Sequence, residues 1–432
     1  MTRTGRPSLA ARIRAAFADP VLRALSIATL ISTVGRGIAL TLVVLYLTLV
    51  VGLPAEQVAL VFTIGAAVAV TASYLGGQLA DRLSARLMLV GAVVVTGLAL
   101  MSYALVTELW QAIAVESLVS LAIAANGSVR AAIIARAFTA EARVTSRAVL
   151  RTITNVGITL GTGVAAIALA LGTAEAYRAI LVLGGAVYAL CALVLVRLPA
   201  TVDAPARVSA TDPAADDGAA AAPPRRGRSP WRDGRYLLFS ALSAVFAMQF
   251  AVASIAIPLW LVHDTPVPEW VLSPLLIINT VLVIALTVPL ARGTHDLRRA
   301  GTVTAIAGVL MALACLVYGA AGGAGLALAA TMLVLGTVLH AFAEILSQAA
   351  GWGLSFELAD PDRAGAYQGV FGMGYSLSSL VAPLVITATV LAFGMGGWVI
   401  LAVLFLLAAL GVSAIAFRAA RSSRRGPDAS SP

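Results

Sequence analysis

The sequence predicts an all-α membrane protein of twelve transmembrane helices, arranged as two six-helix, pseudo-symmetric halves. Three observations predict it. First, of 432 residues 60% are hydrophobic and only 11% charged, with a mean hydropathy of +0.96, whereas soluble chains are about 45–50% apolar and about 25% charged. Second, apolar runs of roughly 20 residues, the length that crosses a bilayer, recur twelve times. Third, arginines cluster in every second connection, and one long polar stretch divides the runs six and six.

Residues 1–20 carry Arg3, Arg6, Arg12 and Arg14 and read as a cytoplasmic N-terminal tail with an amphipathic lead-in. The N-terminal bundle, 21–197, holds runs at 21–51, up to Asp81, 87–106, 110–135, 148–171 and 177–196. The connection with Pro54 and Glu56 and the one at Thr107-Glu108 contain no arginine. Those with Arg82 and Arg86, and with Arg136, Arg143 and Arg147, are basic. Residues 198–235, rich in Ala, Pro, Asp and Gly and carrying Arg225, Arg226 and Arg228, have no apolar periodicity and read as a disordered cytoplasmic linker. The C-terminal bundle, 236–417, repeats the pattern with runs at 236–262, 268–291, 300–319, 326–358, 367–393 and 397–417. Arg292, Arg298 and Arg299 follow its second run, as Arg82 and Arg86 follow the second run of the first half. A basic tail, 418–432, closes the chain. Positively charged connections stay inside, so both termini are expected in the cytoplasm and the protein in the plasma membrane, in contact with the lipid bilayer.

Composition removes several function classes. The net charge is +9, yet all 29 basic residues are arginines. They sit where membrane topology requires them, not in a nucleic-acid-binding patch. Without lysine there is no Walker-type phosphate loop and no Schiff-base chemistry. Cys191 and Cys315 lie in separate apolar runs and read as core residues. His263, His295 and His340 are scattered, with no metal-ligand spacing and no nucleophile–base pairing. No catalytic residue, metal or cofactor is therefore expected, and a non-transporting membrane enzyme or sensor is a remote alternative. The chain is expected to be a monomer.

The stretch Gly76-Gly-Gln-Leu-Ala-Asp-Arg-Leu-Ser-Ala-Arg-Leu-Met-Leu89 compresses two glycines, an acid and two arginines between apolar runs. Its glycines allow a neighbouring helix to come close, and Asp81 can accept bonds from backbone N–H groups at a helix start. With Gly77, Leu79, Ala80, Asp81, Arg82 and Arg86, it resembles the loop between helices two and three of the major facilitator superfamily. Ser84 stands where that pattern has glycine and Ala85 where it has a base. The resemblance, with the six-plus-six organisation, implies the major facilitator fold and secondary transport of a small molecule. It also implies that Gly77, Asp81, Arg82 and Arg86 form a cytoplasmic gating loop that latches the halves rather than touching substrate.

Charges deep in the apolar runs mark the remaining candidates, because each costs at least about 2.5–3.5 kcal/mol to insert. Arg36, about mid-membrane in the first run, should face a central cavity, paired with an acid or with an anionic part of the substrate. In the tenth run His340, Glu344 and Gln348 share a helical face. A carboxylate taken out of water holds its proton more tightly, so Glu344 could exchange one, with His340 in the relay. Glu344 resembles the tenth-helix acid of the drug/proton antiporter branch, which takes part in proton coupling. Glu116, in the fourth run, is a further candidate for proton entry. Asn279, Gln249, Asn126 and Gln348 are candidate polar groups of the substrate cavity. Gly157, Gly161 and Gly163 in the fifth run, and Gly372 and Gly374 in the eleventh, are candidate helix-packing glycines. The expected activity is proton-coupled efflux, by antiport, of small amphipathic or hydrophobic compounds. The alternative is import of a nutrient or an anionic metabolite paired with Arg36.

Overall fold

A computed structural model describes residues 19–203 and 227–424. The N-terminal tail, the centre of the linker with Arg225 and Arg226, and the last residues of the C-terminal tail lie outside the described residues. Among the described residues, twelve helices are long and apolar enough to cross a membrane: α1 (Pro20–Val50), α2 (Ala55–Ala80), α3 (Ala85–Leu105), α4 (Leu109–Ala137), α5 (Ala140–Leu171), α6 (Ala174–Leu195), α7 (Gly234–Asp264), α8 (Glu269–Leu290), α9 (Leu297–Ala321), α10 (Leu326–Glu357), α11 (Pro361–Leu391) and α12 (Met395–Ser422).

Local chemistry sets the ends. Asp19 caps α1, accepting from the backbone N–H groups of Val21 at 2.8 Å and Leu22 at 2.9 Å, with Pro20 in the first turn. The helix α5 stops at Gly172, whose φ of +64° closes the last turn in the left-handed region. Pro258 has no N–H to donate, and just before it α7 widens into a π-helical turn at Val252–Ala256.

Each half has its own apolar core. Tyr46, Tyr103 and Ile133 belong to the first, and Tyr318, Trp398 and Phe405 to the second. The halves touch where α2 and α4 meet α11, and where α5 meets α8 and α10. A small apolar cluster of Val144, Ala148, Ala291 and Ala349 seals the second of these contacts. The first depends on absent side chains: a Cβ on Gly77 would collide with the carbonyl of Gly365 and come within 2.8 Å of the Cα of Gly369.

Two expectations change. The basic connection before the fifth run is nearly all helix, because α5 begins at Ala140. Arg143 and Arg147 therefore ride on α5 and not in a loop. The stretch expected as a structureless linker is held against the bundle at both ends. Asp203 accepts from the Ser84 hydroxyl at 2.9 Å and from the backbone N–H of Arg86 at 2.8 Å. Further on, the backbone N–H of Arg228 donates to Asp360 at 2.7 Å, and Trp231 packs edge-on against Tyr74 with ring centroids 5.2 Å apart.

Candidate functional site

The site is built from two antiparallel stripes. Arg143, Arg147 and Arg151 follow one another at four-residue spacing on α5, a rise of about 6 Å per step. On α10 the facing residues are Glu344, Gln348, Trp352 and Phe356, running the other way. Arg151 forms an ion pair with Glu344, and its Nη1 donates to Gln348 at 3.3 Å. One step on, the Arg147 guanidinium lies 3.6 Å above the Trp352 ring, with Phe356 beyond at 5.8 Å. At the end of the stripe Arg143 pairs with Glu357 at 3.7 Å.

The ladder bounds a cavity of about 560 Å³, within the ordinary range of ligand sites. Arg36 from α1, Arg130 from α4, Asn155 from α5, Phe250 from α7, Thr287 from α8 and Tyr375 from α11 also line it. Glu344 is 6% exposed, and its second oxygen accepts from the Asn279 amide at 3.4 Å. Gln348 ties the wall together. Its amide donates to the Tyr375 hydroxyl at 2.8 Å, and its carbonyl oxygen accepts from the Trp352 indole at 3.2 Å. The turn widened before Pro258 is preceded by Phe250, whose ring faces the Arg151 guanidinium at 5.5 Å.

A second cavity, of about 410 Å³, lies between α1, α2, α3, α4 and α11, and Arg36 lines both. Glu116 stands in its wall. It accepts from the hydroxyls of Tyr103 on α3 and Ser120 one turn along, the latter at 2.8 Å. The Arg36 side chain has no hydrogen bond or ion pair to any described residue, is exposed, and lines both cavities.

Several candidates lie elsewhere. His340 is 1% exposed and packs edge-on against Tyr318 of α9, at 6.3 Å between ring centroids. Four residues turn a helix by about 40° more than a full circle, so over two steps the face carrying Gln348 rotates away from His340. Gln249 is fully buried and donates to Ser347 at 3.0 Å. Asn126 lines a small space with Thr29, Ser32 and Arg130. Neither lines the main cavity. Gly163 touches nothing within 4 Å of where a Cβ would stand, so it is no packing glycine. Gly157 and Gly161 do pack, against Thr33 and Val34 of α1, while Gly372 faces Ser128 at 3.3 Å and Gly374 faces Ser240 at 3.2 Å.

At the arginine-rich face Asp81 pairs with Arg136 of α4 at 2.6 Å. It also accepts from the backbone N–H groups of Gly365 at 2.8 Å and Ala366 at 2.7 Å, at the start of α11. Arg82 is exposed, and its side chain makes no hydrogen bond or ion pair with any described residue. Arg86 stays within its own half, donating to the carbonyl of Leu198 at 3.2 Å.

Arg151 is the residue that sequence reasoning passed over. It lies inside the fifth apolar run, four residues beyond Arg147. That spacing is the available signal, and it is hidden when Arg136 to Arg147 is read as a loop.

Twelve membrane-crossing helices in two halves, meeting around a polar cavity at mid-helix, define a polytopic membrane transporter. The chain belongs to the Major Facilitator Superfamily, whose sequence profile matches residues 25–383. No curated protein sequence matches it significantly. Among solved structures it is similar to the human organic anion transporter MFSD10 (TETRAN), with a TM-score of 0.67 at 16% identity over 91% of this chain and 99% of that one. It is also similar to the proton:xylose symporter XylE bound to 6-bromo-6-deoxy-D-glucose, with a TM-score of 0.64 at 13% identity over 90% of this chain and 94% of that one. At such identities the likeness is one of fold.

Proposed function

We propose that this transporter moves small amphipathic compounds across the plasma membrane by alternating access, and that Glu344 couples the movement to protons. One observation carries the reading: Glu344 and Arg151 pair across the two halves, inside the cavity. Glu344 lies 13 residues from the end of α10 (357 − 344) and Arg151 lies 11 from the start of α5 (151 − 140), so both are about 16–20 Å in along their helices. Protonating the carboxylate removes one charge of the pair and loosens the bond between the halves. The arginine-rich face is the cytoplasmic one in this reading, with Asp81 as its latch and a single chain as the working unit.

The sign of coupling separates two cargoes. Efflux by proton antiport needs a cargo that competes with the proton for Glu344, a cationic or neutral amphiphile. A second reading, an anionic metabolite moving with the proton, is favoured by the charges of the cavity: Arg36, Arg130, Arg147 and Arg151 against Glu344 alone. The structural neighbours, one a transporter of organic anions and one a proton:xylose symporter, do not choose between them at this identity.

The test is proton movement in proteoliposomes containing the full chain, driven by gradients of anionic, neutral and cationic amphiphiles. Protons should move in the native protein and stay still in Glu344→Gln. Substrate flux with no proton movement in the native chain would remove the coupling role and leave the fold untouched.

A further inference from the structure

Around the main cavity the charges do not balance. Four guanidiniums and one carboxylate (4 − 1) leave three positive charges uncompensated by cavity-lining acids, and guanidinium stays protonated in proteins. The donors are not spent either. Buried nitrogens of Arg130 (Nε), Arg147 (Nε and Nη2) and Arg151 (Nε) have no hydrogen-bond partner. A buried, unpaired charge is costly, and planar guanidinium forks are suited to bidentate acceptance of carboxylate-like groups.

The cavity wall also carries a cluster of aromatic rings. Trp352 and Tyr375 are near-parallel, 17° between planes with centroids 6.0 Å apart, and Arg147 covers the indole. Phe250 stands beside Arg151. Charge and aromatic surface therefore occur together, on Arg147 and Arg151, one helical turn apart.

From this we infer that the cargo is a monoanionic amphiphile with a flat apolar body, and that its acidic group takes the place of Glu344 on Arg151. The inference rests on the proton-coupled reading above and names its cargo. Glu344 takes one proton from water and becomes neutral, which frees the Arg151 Nη2 to donate to an oxygen of the cargo. Arg147 contributes its unpaired Nη2, and the apolar body lies along Trp352 and Tyr375. One proton gained and one anion gained leave the charge of the cavity unchanged. On release the anion leaves, Glu344 returns its proton to water, and the pair re-forms. Proton and cargo therefore travel in the same direction.

The groups around Glu344 are compatible with this exchange. From α5 it meets Arg151 with Arg147 behind, and α8 presents the uncharged Asn279. The groups of α7 near it, Phe250 and Gln249, do not titrate, and Tyr375 of α11 is engaged with Gln348. Arg36 and Arg130 line the same cavity from α1 and α4. On its own helix the nearest titratable group is His340, one turn away, whose ring packs edge-on against Tyr318.

The experiment uses the full chain with three probes of one shape: naphthalenesulfonate, naphthalenesulfonamide and trimethyl(naphthylmethyl)ammonium. The charged two cannot themselves carry a proton through a bilayer. Binding is measured in detergent by ligand-induced thermal stabilisation and titration, and proton movement in proteoliposomes with a trapped pH dye. Naphthalenesulfonate should bind, and its gradient should draw protons in its own direction. Arg147→Gln should weaken that binding at least tenfold, with Arg147→Lys intermediate because it keeps charge but not the planar fork. Should Arg147→Gln fail to fold, Trp352→Leu serves, with the same loss expected. Tighter binding of the ammonium probe, no saturable binding of the sulfonate, or sulfonate binding indifferent to both Arg147→Gln and Trp352→Leu would each overturn the inference. If the ammonium probe drives protons the opposite way and Glu344→Gln stops it, proton coupling stands and the anionic cargo falls. If the sulfonate binds as expected but Glu344→Gln leaves proton movement unchanged, the coupling role falls and the anion site stands.

Discussion

The carboxylate of Asp81, at the end of α2, accepts a hydrogen bond of 2.8 Å from the backbone N–H of Gly365, near the start of α11. The same carboxylate caps Ala366 and pairs with Arg136. One acid thus joins the N-terminal half to the exposed N–H groups of a helix in the other half. Bonds of this charge-assisted kind contribute about 1.5–3 kcal/mol each.

Asp81→Asn should loosen this face. Asn offers a single acceptor oxygen, so one of the two N–H groups would meet an NH₂ instead. The closed arrangement should lose at least tenfold in population. Distances between spin labels on the exposed ends of α2 and α11 report it, and an unchanged distance distribution would count against the latch.

Gly77 and Gly163 make a matched pair. A side chain on Gly77 would drive α2 off the Gly365 carbonyl, whereas one on Gly163 would meet nothing within 4 Å. Gly77→Val should abolish closure and transport, and Gly163→Val should keep both within about twofold. Equal effects would contradict the packing described for α2 and α11.

Arg151→Ala leaves the Glu344 carboxylate, whose side chain is 8% exposed, without its ion-pair partner. Removing one member of a buried pair costs up to about 3–5 kcal/mol. The value here should fall toward the lower end, because the Arg151 side chain is 24% exposed. The double variant Arg151→Ala/Glu344→Gln should recover part of the loss. Thermal unfolding of the four proteins in detergent gives the cycle, and additive losses would show that the pair is not coupled.

Cys191 and Cys315 are both 0% exposed, so the native chain should resist a membrane-impermeant maleimide. Arg82→Cys places a thiol on the arginine-rich face, where Arg82 is exposed. It should label in inverted vesicles and not in right-side-out ones. Labelling from the other side would reverse the proposed orientation.

The fold was legible because bilayer crossing leaves a one-dimensional signature. Apolar length and arginine placement are properties of consecutive residues, and twelve runs follow from them. Glu344 was legible for the same reason, since a carboxylate in an apolar run is costly wherever its neighbours lie. Its partner was not. Arg143 and Arg147 look like part of a basic connection, separate from Arg151 in the fifth run, until α5 is seen to begin at Ala140. His340 shows what spacing leaves open: it lies one turn from Glu344, but its ring packs edge-on against Tyr318.

The sequence by itself determined the twelve helices, the division into two halves, the absence of lysine chemistry and the polar residues placed deep in apolar runs. Each follows from what a residue costs in hydrocarbon, whatever its partners. Only the tertiary structure decided that Arg151 meets Glu344, that Arg147 covers Trp352, that Arg36 stands unpaired between two cavities, and that Gln249 and Asn126 lie outside the main one. Those facts depend on which face of one helix turns toward which face of another. Close contacts at glycines such as Gly77 and Gly161 set that rotation, and residues nearly two hundred positions apart in the chain, Arg151 and Glu344, meet because of it.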